Sequence, residues 1–391
     1  MIGTLVEESK SLGLWLHEKA LPLWLQTGFR SGVGCFAEAI SEDGHPTEEP
    51  TRARVFPRQI YCFANAGLNG WQGDWATAVF KGIEEFDRSF LTQSGYYGAV
   101  SNRNGELVDP SFDLYNQAFA ILAFAYVAKS FPTHSEEMSR RARDMLRLLR
   151  QRHRHEDGGF HEAIPYRTPL RSNPHMHLFE ASLACEISPG FDGEMWRTFS
   201  DELAHLCLTR FIDAETGALR EFFDLSWAPL AGPKGKIIEP GHQFEWAWLL
   251  AKWGQRRDHH KGLAAAHRLF EFGETYGICS RRQVAVMSVL DDFSVADPMA
   301  RLWPQAEWLK GAISLALLAE DPKERSRYII SALRACDALK AFFSVNKPGL
   351  WHDKMNETGI LVDEPSPASS LYHIVCAIYE LDDGIRRLTL N

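Results

Sequence analysis

The sequence predicts an all-α fold: an (α/α)6 barrel, a toroid of six helical hairpins with long loops at the inner-helix N-terminal mouth. Three observations lead there. Amphipathic and apolar helical patterns alternate six times along 391 residues. A polar residue returns just inside the start of each apolar segment: Arg58, Gln117, His177, His242, Glu307 and His373, in steps of 59, 60, 65, 65 and 66. Composition does not change along the chain, so 1–391 reads as a single domain.

The amphipathic helices fall at 5–28, 74–92, 135–152, 193–212, 258–276 and 322–343. The fourth, GEMWRTFSDELAHLCLTRF, repeats Trp196, Phe199, Leu203, Leu206 and Phe211 at helical spacing, with charges between them. The apolar helices fall at 55–68, 113–130, 174–187, 240–254, 303–319 and 368–381. Pro174, Pro240 and Pro304 stand at or near a first helical position, where the missing N–H costs nothing. Ser369 and Ser370 are capping residues ahead of His373. Long loops, 95–112, 156–172, 217–239, 277–302 and 346–367, precede the apolar helices, and loops of that length in a compact domain usually carry function. GALREFF and RRQVAVMSVL alternate as small hairpins do. Closing six pairs into a double ring collects six separated polar residues at one mouth. An open solenoid would string them in a line instead.

Composition narrows the function. Hydrophobic residues make up 45% and charged residues 24%, ordinary for a soluble globular protein. Aromatics at 12% suit a large core with some left for a sugar-stacking cleft. Net charge is −9 with no basic stripe, which argues against nucleic acid. The longest apolar run, Ala118–Ala128, is too short to span a bilayer. The first twenty residues are acidic where a signal peptide needs basic ones, and seven cysteines are scattered with no C-x-x-C, so a cytoplasmic protein with reduced core cysteines is expected.

The chemistry-bearing residues cluster at the apolar helix starts. His177 and Glu180 share a helix face, as do His242 and Glu245, whereas His175 and His177 do not. A carboxylate beside a histidine fixes its tautomer and raises its pKa. Glu307 takes the equivalent place in the fifth repeat, with Trp303 placed to stack on a sugar. Arg58, Tyr115, Asn116, Gln117 and Asn173 add cationic, phenolic and amide groups, of which the arginine and amides suit hydroxyls or a developing enediolate. No nucleotide-binding glycine motif, nucleophile elbow or metal-spaced Cys/His set is present. Such a set fits proton abstraction beside a carbonyl better than hydride or phosphoryl transfer. A glycoside hydrolase on the same toroid would need two carboxylates across a bond, for which Glu239, Asp292 and Glu307 are available, but it leaves the histidines unexplained.

The segments RQIYCFANA, NPHMHLFEA, EPGHQFEWAWLL, RLWPQAEWLKGA and SLYHIV resemble the N-acylglucosamine 2-epimerase superfamily over nearly the whole chain, with forms most similar to its D-mannose isomerase branch. The resemblance implies that His242 and His373 are the acid/base pair, that His177 assists ring opening, that Arg58 contacts the substrate near the reacting carbons, and that Glu245 supports the catalytic histidine. It implies no metal and no organic cofactor. The expected reaction is conversion of a free hexose, D-mannose to D-fructose, through a cis-enediolate, with His373 favoured as the base at C2. The alternatives are 2-epimerisation of an N-acylglucosamine or cellobiose type, or mannose-6-phosphate isomerisation, for which Arg167, Arg171 and Lys354 are candidate phosphate contacts. A monosaccharide is the expected partner, to a monomer or homodimer, with Tyr115, Asn116, Gln117, Asn173, Glu180, Glu245, Trp303 and Glu307 holding it.

Overall fold

The computed structural model describes residues 1–32 and 34–390. Six inner helices run Val55–Leu68, Leu114–Ser130, Ser172–Glu186, Pro240–Arg257, Leu302–Leu318 and Ala368–Leu390. Each packs on the next, and the last packs on the first, so the row closes into a ring and the open solenoid is excluded. Inner helices are covered nearly all round, which is why the second and fifth carry almost no polar face. The outer helices are Trp75–Phe90, Ser135–Arg152, Gly193–Leu206, His260–Gly277 and Pro322–Ala341, each packed against the inner helix that precedes it. The sixth outer helix is the N-terminal one. It starts at Ile2–Trp15, continues through π turns at Leu16–Ala20 and Trp24–Gly28, and packs on the last inner helix.

Two boundaries move beyond the expected ones. The last inner helix continues to Leu390, because Asp382, Asp383, Arg386 and Arg387 supply i,i+3 and i,i+4 pairs beyond the apolar stretch. The fourth reaches Arg257 and stops at Asp258, which adopts a left-handed conformation.

The loops at the mouth pair mainly with their neighbours. Thr51–Arg52 pairs with Val100–Ser101, Leu170–Arg171 with Phe222–Phe223, Ala300–Arg301 with Lys354–Met355, and Ser366–Pro367 with Ala39–Ile40. A single bridge, Ile238 to Val289, joins the fourth loop to the fifth. At the remaining seam the loops meet through side chains: Phe112 stacks on His153 at 3.7 Å and Arg171 faces Asp113 at 3.6 Å. RRQVAVMSVL supplies strands to local hairpins, as its alternation predicts. GALREFF bridges locally as well, Leu219 to Ile212 and Phe223 to Pro229, and also pairs Phe222 and Phe223 with the loop before it.

In four of the six repeats a buried side chain fastens loop to helix. Gln117 accepts from the Tyr97 N–H and donates to the Tyr97 carbonyl. Gln243 does the same at Leu219, and Gln305 at Ala285. In the third repeat His175 takes this place, accepting from the Phe160 N–H at 3.0 Å while its Nδ1 meets the Arg171 carbonyl. Gln117 therefore belongs to a second repeated series that holds loops, and the residue of its helix that reaches the central cavity is Tyr115.

Candidate active site

The starts of the inner helices enclose a cavity of about 250 Å3, small beside the ~300–1,000 Å3 of drug-sized sites. Arg58, Tyr115, Asn173, His177, His242, Glu245, Trp303 and His373 all line it, so eight of the expected residues meet in one place. Four do not line it. Asn116 and Gln117 are buried behind the second inner helix start, where Asn116 donates to the Gly98 carbonyl. Glu180 and Glu307 lie beneath the cavity and hold its side chains. Ring closure thus overrides the simple period, because only some of the six recurring positions rotate inward.

The two central histidines are built alike and charged differently. His242 Nδ1 is 2.8 Å from Glu221 Oε2 and 3.5 Å from Glu239 Oε2. Burial opposes its charge, but Glu221 and Glu239 overcome that and push its pKa up to about 10. His373 Nδ1 is 2.6 Å from Glu307 Oε1. Burial, then the Arg58 and Lys310 cations, hold its pKa well below the ordinary histidine value. In each ring a carboxylate takes Nδ1, which leaves Nε2 for the cavity. One imidazolium and one neutral imidazole therefore face the same space, the arrangement that separates an acid from a base. The Trp303 ring lies between them, 5.0 Å from His242 and 5.7 Å from His373.

His177 stands apart from this pair. Its Nδ1 is 3.2 Å from Glu180 Oε2, and Glu180 also accepts from the Tyr372 hydroxyl. Burial lowers its pKa, against the pull of Glu245 and Glu180. Arg58 donates to the Ser369 carbonyl at 3.0 Å and to the Tyr115 hydroxyl, with its guanidinium 4.3 Å from the centre of the Phe119 ring and 5.1 Å from that of Tyr372. Glu239 faces the cavity, and burial pushes its carboxyl up to about 7, with His242 opposing and Glu221 adding to the shift.

Glu245 makes no hydrogen bond to His242, although its charge adds to those that raise the pKa of that histidine. Its Oε1 lies 3.8 Å from His177 Nδ1, and neither oxygen has a hydrogen-bond partner, although the residue is fully buried on the cavity wall. Two unpaired carboxylate oxygens in such a place are ready to accept from hydroxyls. The partner that His242 does use, Glu221, sits in a loop twenty-one residues upstream with no periodic signal. Its only clue is the loop's length.

Among the described residues three trios come close enough to surround a cation: His177–Glu180–Glu245, Glu221–Glu239–His242 and Glu245–Glu307–His373. In the second the acids already face an imidazolium. In the third Glu307 already faces Lys310, at 2.6 Å. At the rim Arg52, Arg54 and Arg301 line the cavity, and each is engaged: Arg52 Nε donates to Glu38 at 2.6 Å, Arg54 to Asp113 at 3.1 Å, and Arg301 to Asp353 at 2.6 Å. Arg167, Arg171 and Lys354 are not part of the lining; Arg171 pairs with Glu162 and Lys354 with Glu364. Of the three hydrolase candidates Glu239, Asp292 and Glu307, Glu239 alone lines the cavity, while Asp292 is exposed and bonded to Ser294.

Residues 34–377 match the model of the N-acylglucosamine 2-epimerase family. The chain belongs to that family. A relative named mannose-6-phosphate isomerase, from Rhizobium meliloti strain 1021, is 54% identical over 97% of this chain and 98% of its own length. A relative named D-mannose isomerase, from Marinomonas mediterranea, is 24% identical over 91% of this chain and 92% of its own. The fold is that of cellobiose 2-epimerase from Bacillus thermoamylovorans (TM-score 0.85, 15% identity, 96% of this chain and 99% of that one) and of a D-mannose isomerase (0.82, 21%, 97% and 96%). The members of this N-acylglucosamine 2-epimerase family matched here are sugar epimerases and isomerases, and this chain is an enzyme of that kind.

Proposed function

We propose that this enzyme interconverts D-mannose and D-fructose. The observation that carries the reading is the pair His242 and His373, one held cationic and one neutral on a single small cavity. With the ring opened beside His177, the His373 Nε2 takes the C2 proton. The His242 imidazolium gives its Nε2 proton to O1, and Arg58 stabilises the charge on the enediolate oxygens. His373 then returns its proton at C1, and His242 recovers one from the O2 hydroxyl, which restores both rings. Glu245 and Asn173, whose side-chain oxygens lack partners, accept from the remaining hydroxyls. The cavity's volume supports a monosaccharide over a disaccharide such as cellobiose.

The test is incubation with mannose in deuterated water. Deuterium at C1 of fructose is the expected result. Deuterium at C2 of glucose would assign 2-epimerisation instead, and no exchange at all would end both readings for this sugar. A second reading, the 6-phosphate, is favoured by Arg52, Arg54 and Arg301 at the rim and by the name of the 54% relative. The free sugar ranks first because each of those three rim guanidiniums already faces a carboxylate. A kcat/KM for mannose 6-phosphate well above that for mannose would reverse the ranking.

A further inference from the structure

Beneath the cavity, one buried group has no part in the reaction as written. Lys310 is completely buried on the fifth inner helix, one turn beyond Glu307. Its Nζ is 2.6 Å from Glu307 Oε2, and the Trp248 ring covers it, with the ring centre 3.7 Å away. Glu307 divides its two oxygens, Oε1 to His373 Nδ1 and Oε2 to Lys310. Around this chain stand Glu180 from the third inner helix, Glu245 from the fourth, and Tyr372, Cys376 and Glu380 from the sixth. Arg58, Arg301 and His177 face His373 from the cavity side.

We propose that Lys310 is a positioning residue that keeps Glu307 ionised, and so holds His373 as the Nδ1-protonated tautomer with Nε2 free to act as base. The inference rests on the reading of His373 as the base at C2. The reason is a proton count. Glu307 and His373 share one proton when the base is ready. Burial, with Glu245 and Glu180 adding, pushes the Glu307 carboxyl well above the ordinary carboxylate range and so toward a second proton, and Lys310 is the cation that pulls it back. A protonated Glu307 would donate to Nδ1 and move the ring proton to Nε2, where it blocks abstraction. The ammonium, 2.6 Å from Glu307 Oε2, opposes this. Lys310 thereby raises no barrier and touches no substrate; it sets which imidazole nitrogen is open. A purely structural ion pair on the barrel axis would be replaceable by apolar side chains with little functional change.

Lys310→Met separates the two roles. Without the cation the Glu307–His373 dyad, which titrates as a unit, binds its extra proton more tightly. The acid limb of kcat/KM should move up by about one to two pH units, lowering kcat/KM by about 10- to 100-fold below that limb, with recovery at higher pH and KM little changed. Lys310→Arg, which keeps the charge, should retain the original profile. In Glu307→Gln, adding Lys310→Met should cause no further displacement. A loss that is equal at every pH, or none, overturns the proposal. Should Lys310→Met not fold, histidine 15N resonances of the unaltered enzyme decide it: His373 protonated on Nδ1 at neutral pH is expected, and protonation on Nε2 overturns it. His373→Asn is the control for the underlying reading. If that variant still exchanges the C2 proton, His373 is not the base, whatever Lys310 does.

Discussion

A cavity with one neutral and one cationic histidine has a definite pH signature. His373 must be neutral, and its pKa is held well below 6.5, so activity should be lost only as pH falls through that lowered value. His242 must be protonated, and its pKa is about 10, so activity should fade as pH rises through about 10. The kcat/KM profile should therefore be a broad bell. Glu221→Gln removes a negative neighbour from His242, which lowers its pKa. The alkaline limb should then move down while the acid limb stays. An unmoved alkaline limb would show that Glu221 does not set the charge of His242. Gly241 is a smaller lever: a Cβ there would meet the Trp303 ring at 2.5 Å, so Gly241→Ala should displace that ring and raise KM more than it lowers kcat. At this scale the sequence exposed His177, His242, His373 and Arg58, because polar residues on apolar helices stand out. It hid Glu221, which reaches its histidine from a loop, and it did not show that Glu245 stands nearer His177 than His242. Spacing along one helix reports neighbours on that helix and says nothing about a carboxylate arriving from elsewhere.

Elements are joined here by the buried glutamines, and that is why Gln117 looked like a site residue. Its polarity and repeat spacing are real, but they serve the Tyr97 backbone. Gln243→Leu should leave the Leu219 N–H and carbonyl without partners, at a cost of about 1–3 kcal/mol for each group left unsatisfied. The melting temperature should fall. Activity should fall with it at temperatures where the fold is intact, because the same loop carries Glu221 and Glu239. Retained kcat in a destabilised variant would show that the loop holds those acids without the clamp. Helix positions were legible because the 3.6-residue pattern is strong in the outer helices, and proline and serine mark several inner starts. Loop pairing was not legible: two-residue strands carry almost no alternation to read, as Phe222 and Phe223 show by pairing with Leu170–Arg171.

For the whole molecule, the N-terminal helix completes the outer ring. Leu5, Leu12, Leu16, Leu21 and Trp24 are buried, and this helix packs on the last inner helix, which in turn packs on the first. Removing residues 1–28 should uncover that seam and abolish a cooperative thermal transition. A truncated chain that still melts sharply and turns over mannose would show that the inner ring is self-sufficient. The six-fold architecture was readable from sequence because its period is global, and ring closure then follows from burying every inner face.

The paired loops carry a consequence for how substrate preference can change over time. Thr51–Arg52, Ala300–Arg301 and Ser366–Pro367 are each registered against the next loop, and Arg52 and Arg301 stand at the cavity while held in those ladders. A loop exchanged alone for that of a relative would arrive out of register on one side. New sugars should therefore be acquired either by single side-chain changes within the ladders or by replacing adjacent loops together. Grafts that respect these seams should be tolerated far more often than grafts that cut across them.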